Sequence, residues 1–185
     1  MAITQEMPQG MSSAQVQLIP FSELSPGQAA KIRNDIIQAL VAKAVKELNK
    51  PPGLLVVRDI LPKTDLDFTN EDWCEVTGSS SAVWETMSSG TMGDERYVGI
   101  YGIKVNPDAF ACSAIKFNIG GADKAIWLLQ SLREYDDMVG LCPSGIIIPQ
   151  NNTYTISRYV LYTLSSSCLI LKGVVVEPRG KVISP

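Results

Sequence analysis

The clearest hydrophobic pattern begins at residue 26. Ala29, Ile32, Ile36, Ile37, Leu40, Val41, Ala44, Val45 and Leu48 recur at helical spacing, while Lys31, Arg33, Asp35, Lys43, Lys46 and Glu47 supply much of the opposite face. Ser25-Pro26-Gly27-Gln28 stands in front of this pattern. Serine is a good cap, proline fits the first helical position, and glutamine three residues after the cap completes a capping box. Asn49-Lys50-Pro51-Pro52-Gly53 ends the run, because proline cannot continue the hydrogen-bond ladder. Residues 21–50 therefore read as an amphipathic helical segment, whose helix from Pro26 to Leu48 is about 35 Å long. Residues 1–20 read as an extended, mostly polar N-terminal arm without periodicity.

After Gly53 the pattern turns to strands. Leu54 to Leu61 is an aliphatic and β-branched run closed by Pro62, and Asp72 to Thr77 alternates polar with apolar. Tyr97 to Val105, Ala111 to Ile119, Lys124 to Leu132, Ile146 to Pro149 and Thr153 to Leu164 follow as strands. A closing hairpin is expected from Cys168 to Val176 and Lys181 to Ile183, around Glu177-Pro178-Arg179-Gly180. Gly78 to Ser81 and Met87 to Gly93 read as loops by composition. The segment Lys124 to Leu132 also fits a short helix, and its bulky residues favour strand. The fold class expected is mainly β with one long N-terminal helix (α+β), residues 54–185 forming an antiparallel β-sandwich or jelly-roll-like domain.

Composition narrows the chemistry. The 185 residues contain no histidine, which removes Ser-His-Asp and Cys-His catalysis and histidine metal sites. A net charge of -3 and a pI near 5.0 argue against nucleic acid or an anionic membrane as the main partner, and no stretch approaches the ~20 apolar residues of a membrane span. The cysteines at 74, 112, 142 and 168 form no CxxC pair and read as small hydrophobes in strands. The first fifteen residues have neither the basic nor the apolar region of a signal peptide, so folding in a reducing cytosol is expected.

Other candidates read more simply as structure. Asp65-Leu66-Asp67-Phe68-Thr69-Asn70-Glu71 alternates oxygen ligands as a calcium loop does, but Asn70 and Val76 stand where an EF-hand needs glycine and an acid, so a solvated loop is expected. Gly120-Gly121-Ala122-Asp123 lacks the lysine–serine pair of a phosphate loop and reads as a hairpin turn. Glu134-Tyr135-Asp136-Asp137 reads as solvated acids, with little nearby to perturb them. Trp73, Trp84 and Trp127 are either core or a sugar-stacking face. No catalytic set, cofactor site or metal site emerges.

Tyr101-Gly102-Ile103, Ser113 to Ala122 and Leu171 to Ile183 together resemble small β-rich virion structural proteins of tailed bacteriophages, most of all capsid decoration (cement) proteins. The resemblance covers residues ~95–185. It implies a protein located in the virion after assembly in the host cytoplasm, without enzymatic activity, whose partners are the major capsid protein and further copies of itself as a dimer or trimer. Such a clamp needs apolar anchors, so Met7, Met11, Leu18, Ile19 and Phe21 are the expected partner-binding residues, lying on a neighbouring subunit; the alternative is that these apolar residues fold back onto their own domain. On that expectation, removing residues 1–20 abolishes docking but leaves the melting temperature nearly unchanged. A tail or neck component and a carbohydrate-binding sandwich are the alternatives.

Overall fold

The computed structural model describes residues 14–69, 74–77, 82–105, 112–134, 138–161 and 166–181. Helix α1 (Pro26–Leu48) starts at the cap the sequence predicts. Ser25 Oγ accepts from the Gln28 amide at 3.3 Å, and the Gln28 side chain accepts from the Ser25 amide at 2.9 Å. The helix ends at Asn49, whose φ of 52° is left-handed, a conformation that asparagine adopts at helix C-termini.

The strands form two sheets. One holds β1 (Ala14–Gln17), β5 (Val83–Thr91), β7 (Cys112–Ile119), β8 (Ala122–Leu128) and β10 (Thr153–Val160), in the order β1-β8-β7-β10-β5. The other holds β2 (Ile19–Pro20), β3 (Leu55–Asp59), β6 (Tyr97–Val105), β9 (Val139–Ile148) and β11 (Ser166–Pro178), in the order β2-β9-β6-β11-β3. β4 (Cys74–Thr77) pairs with the opposite end of β11 from β3. Every pairing is antiparallel except β1 with β8.

The two sheets enclose the main core, and α1 packs on the outer face of the β6–β11 sheet. Val98, Ile100, Ile103 and Val105 of β6 and Leu169, Leu171 and Val175 of β11 meet Ile115, Phe117, Ile119 and Trp127 between the sheets. On the opposite face Tyr97, Val174 and Val176 meet Ile36, Leu40 and Ala44 of α1. Each such aliphatic side chain contributes roughly 1.5–3 kcal/mol by leaving water. The core positions 98, 100, 103 and 105 break strict alternation. A bulge at Tyr101, unpaired with both neighbouring strands, absorbs the extra residue and restores the inward face. Gly99 lets the helix approach: a Cβ there would sit 2.7 Å from Leu40 Cδ1 and 3.0 Å from Ile36 Cγ2.

Several boundaries differ from those the sequence suggests. Met87 to Thr91 is the second half of β5, not a loop. This small-residue stretch lies on a sheet edge, where Gly90 makes room for Tyr154, whose hydroxyl would be 2.9 Å from a Cβ at that position. Lys124 to Leu132 divides into the end of β8 and a short helix, α3 (Gln130–Glu134). The first strand of the expected closing hairpin is β11, which is longer than expected and ends in a turn at Arg179 and Gly180, and Val182 and Ile183 of the second strand lie outside the described residues. Residues 14–20, assigned from the sequence to the extended N-terminal arm, contain β1 and β2.

Replacing Gly99 with valine should lower stability by about 1–3 kcal/mol, because the new side chain meets Leu40 and Ile36. A fall in urea midpoint at constant slope checks this. Gly27→Ala, whose methyl meets nothing within 4 Å, should leave the midpoint equal or higher.

Candidate functional site

Residues 14–20 cross from one sheet to the other at the sandwich flank. Gln15-Val16-Gln17-Leu18 alternates polar and apolar, a strand signal short enough to pass for aperiodic sequence. Val16 packs against the main core, and Leu18, 1% exposed, is part of it. The Leu18 carbonyl accepts from Ser131 Oγ at 2.7 Å. Gly140 completes the socket, since a Cβ there would sit 2.9 Å from both Leu18 Cβ and Leu132 Cδ2. Ile19 is half-buried and registers with Leu141, and Pro20 with Gly140. Leu18 and Ile19, expected to contact a neighbouring subunit, therefore belong to this domain's own core and sheet. Phe21 follows on a 3-10 turn (Phe21–Glu23) and is 48% exposed. Met7 and Met11 lie outside the described residues. Of the three expected contact residues that are described, Phe21 lies on an open surface.

A second constellation, not anticipated from the sequence, closes the end of the sandwich beside β3. Arg58 Nη1 and Nη2 donate to the two oxygens of Asp65, both at 2.7 Å, and Arg58 Nε donates to Glu177 Oε1 at 2.8 Å. Arg96 Nε donates to Glu177 Oε2 at 3.0 Å, and Arg96 Nη1 lies 3.3 Å from Asp65 Oδ1. Both carboxylate side chains are fully buried, and the two arginines are mostly so. Asp65 Oδ2 also accepts the Leu61 amide at 2.7 Å, just ahead of the short helix α2 (Pro62–Leu66). The Asp65 bond holds the Arg58 guanidinium far above its ordinary pKa, against the opposing effect of burial. Two cations and two anions thus neutralise one another. Asp65, read from the sequence as part of a solvated loop, is one of these buried partners. The pairing spans 119 residues from Arg58 to Glu177, so no local motif announces it.

The remaining candidates take structural places. Gly120 and Gly121, with φ of 62° and 78°, form the β7–β8 turn, as expected. Trp127 is wholly buried, edge-on to Phe117 at 4.7 Å between centroids. Trp84 packs edge-on against Tyr159 at 5.3 Å, and Lys116 Nζ stands 4.8 Å over its ring. These rings do not make a flat platform, and Trp73 lies outside the described residues. Cys112 and Cys142 are buried free thiols. Burial pushes the Cys112 thiol up to about 12, with the nearby Arg158 opposing, so it stays neutral. The side chains of Cys74 and Cys168, and all of Tyr135-Asp136-Asp137, lie outside the described residues. Among the described residues no three His, Cys, Asp or Glu side chains gather as a metal set, and no helix is long and apolar enough to cross a membrane. A shallow recess of about 320 Å³ opens between the sheets beside β1, where Val16, Ile119, Ala125 and Ile146 are accompanied by Lys124.

No protein-family model matches the chain, and no curated protein matches it in sequence.

Leu18→Ala should cost about 2–5 kcal/mol, because the socket around Gly140 is left empty. Deleting residues 1–20 should accordingly lower the melting temperature well beyond deletion of 1–13, reversing the expectation drawn from the sequence. Arg58→Ala should cost about 3–5 kcal/mol by leaving Asp65 and Glu177 with uncompensated charge. Thermal melts of the four proteins check all three. Cys112 and Cys142 should resist a thiol reagent at pH 8 in the folded protein and react fully in denaturant, as read by peptide mass mapping.

Proposed function

We propose that this chain is a non-enzymatic virion structural protein that binds and stabilises an assembled phage capsid as a decoration (cement) protein. Its partners on this reading are the major capsid protein and further copies of itself. The observation that carries the reading is the location of the exposed large apolar side chains. Phe21 follows β2; Leu54, Val57 and Leu61 flank or belong to β3; Val83 begins β5; Met138 precedes β9. β2, β3 and β5 are sheet edges. Apolar groups spread over several sheet edges suit lateral packing against several neighbours. A concave ligand site gathers such groups at one place. Residues 1–13, with Met7 and Met11, join the body at β1, another edge, which suits an anchor reaching outward.

A jelly-roll-like wiring belongs to the same proposal. From β5 to β11 the chain changes sheet at every step except the β7–β8 hairpin, as strands that wrap around a common core do. The mechanism is linkage: a protein that binds the assembled lattice more tightly than free subunits stabilises the lattice by that difference.

On a sucrose gradient of lysate from the source, the chain should co-migrate with megadalton particles at a fixed, high ratio to a major shell protein. A low fixed ratio would replace the shell position with a tail or neck position. Recovery only in the soluble fraction would defeat the reading. Phe21→Ser should reduce the particle-bound fraction, with a loss of about 2 kcal/mol in affinity, roughly thirtyfold, while the half-exposed site leaves the melting temperature nearly unchanged.

A further inference from the structure

We propose that residues 14–20 exchange between copies of this chain, each copy placing its β1–β2 segment in the slot between β8 and β9 of another. The inference extends the shell-binding reading, and its use in a lattice rests on that reading. The slot and its occupant are both described, so their fit is established: β1 along Ala125 to Leu128, Leu18 in the Gly140 socket, and Ile19-Pro20 along Gly140 and Leu141. A second copy offers the same contacts, and exchange keeps each of them.

Three features favour release of this segment. It is held by short ladders, four residues of parallel pairing and two of antiparallel pairing, at the edges of both sheets. Its anchor is separate from that of the helix that follows. Leu18 belongs to the cluster between the sheets, whereas α1 is held by the cluster on the outer face, so the segment can leave without unseating α1. The link between them, Phe21 to Ser25, includes three successive exposed residues and no buried one. Two of the exposed apolar side chains stand where exchange would bring two copies together. Phe21 directly follows Pro20, and Met138 stands two residues before Gly140, the partner of Pro20; they are 48% and 42% exposed. In an exchanged pair, the crossing links of the two chains run side by side and cover these side chains.

The test uses full-length protein. Gln17 and Leu128 are register partners across β1 and β8, the first exposed and the second half-buried. Gln17→Cys and Leu128→Cys are made on separate copies, one isotopically heavy. The copies are mixed, warmed below the melting temperature and joined with a short bismaleimide, and the linked peptides are mapped by mass. The mapping separates 17–128 links from any at native cysteines. The expected result is a heavy–light 17–128 peptide whose yield rises with protein concentration. The double variant on one chain checks the seat itself. If it links within the chain while the mixture gives no 17–128 product, exchange is overturned. If the double variant forms no 17–128 link, the seat is absent and the proposal falls with it. The outcome is independent of the gradient result: exchange without particle association defeats the shell reading alone, and particle association with linkage only within chains defeats exchange alone.

Discussion

Strands β6 and β11 have to be apolar on both faces, because one face meets the second sheet and the other meets α1. This two-sided burial governs much of what surrounds it. Tyr97-Val98-Gly99-Ile100 and Val174-Val175-Val176 read as continuous apolar runs where a half-exposed strand would alternate. The helix must come close enough to exclude water, so small residues are needed beneath it. Gly99 supplies that, as does Gly145, where a Cβ would clash with Ile36 Cδ1. Tyr97 reaches out to the helix and donates to Glu47 Oε2 at 3.0 Å, which ties the last turns of α1 to the start of β6. Burial, followed by the Glu47 bond, raises the tyrosine pKa, so its proton stays in place to make that contact.

A sandwich of two open sheets leaves four edges, each a row of unpaired backbone groups. At one flank a single segment serves both sheets, since β1 and β2 are consecutive in sequence and lie on different sheets. Leu18 between them joins the core, so this flank is closed by a peg and two short ladders. The opposite edges, β3 and β5, keep exposed valines at 57 and 83. The flank closed by the smallest number of pairings is therefore also the one where residues 1–13 attach.

The sequence made the helix legible because its signals are local. A cap, a 3.6-residue period and a proline stop all lie within the segment itself, and α1 follows them closely. β6, β7 and the β7–β8 turn were equally readable, since their apolar runs end in recognisable turn residues. The two-sheet sandwich followed from strand spacing. Residues 14–20 were not legible as strands, because two short edge strands and the Leu18 between them place only Val16 and Leu18 in the main core, too few to show a period. Met87 to Thr91 failed for a related reason: its serines and glycine look like a loop, yet an edge strand is held by backbone pairing with β10 and needs little side-chain burial. Phe21 was identifiable by character, while the inward turn of Leu18 depends on Gly140, more than a hundred residues away.

The four-charge cluster depends on the same kind of distant information, and its position explains what it does for the fold. Arg58 and Glu177 lie on the inter-sheet faces of β3 and β11, the face that Val175 also occupies. A one-residue slip of β3 against β11 would leave the apolar character of the outer positions almost unchanged, because valine follows valine on both strands: Val56-Val57 and Val174-Val175-Val176. Hydrophobic burial alone therefore discriminates weakly between registers there. The ion pairs discriminate strongly, since a slip moves a guanidinium away from two buried carboxylates whose other cation among the described residues is Arg96. Arg96, just ahead of β6, extends the same constraint to the neighbouring strand, and Asp65 extends it to α2. Charges that add little net stability thus select one alignment of β3, β11 and β6. That alignment places Leu55, Tyr97 and Val176 together under α1 and so sets the surface on which the helix packs.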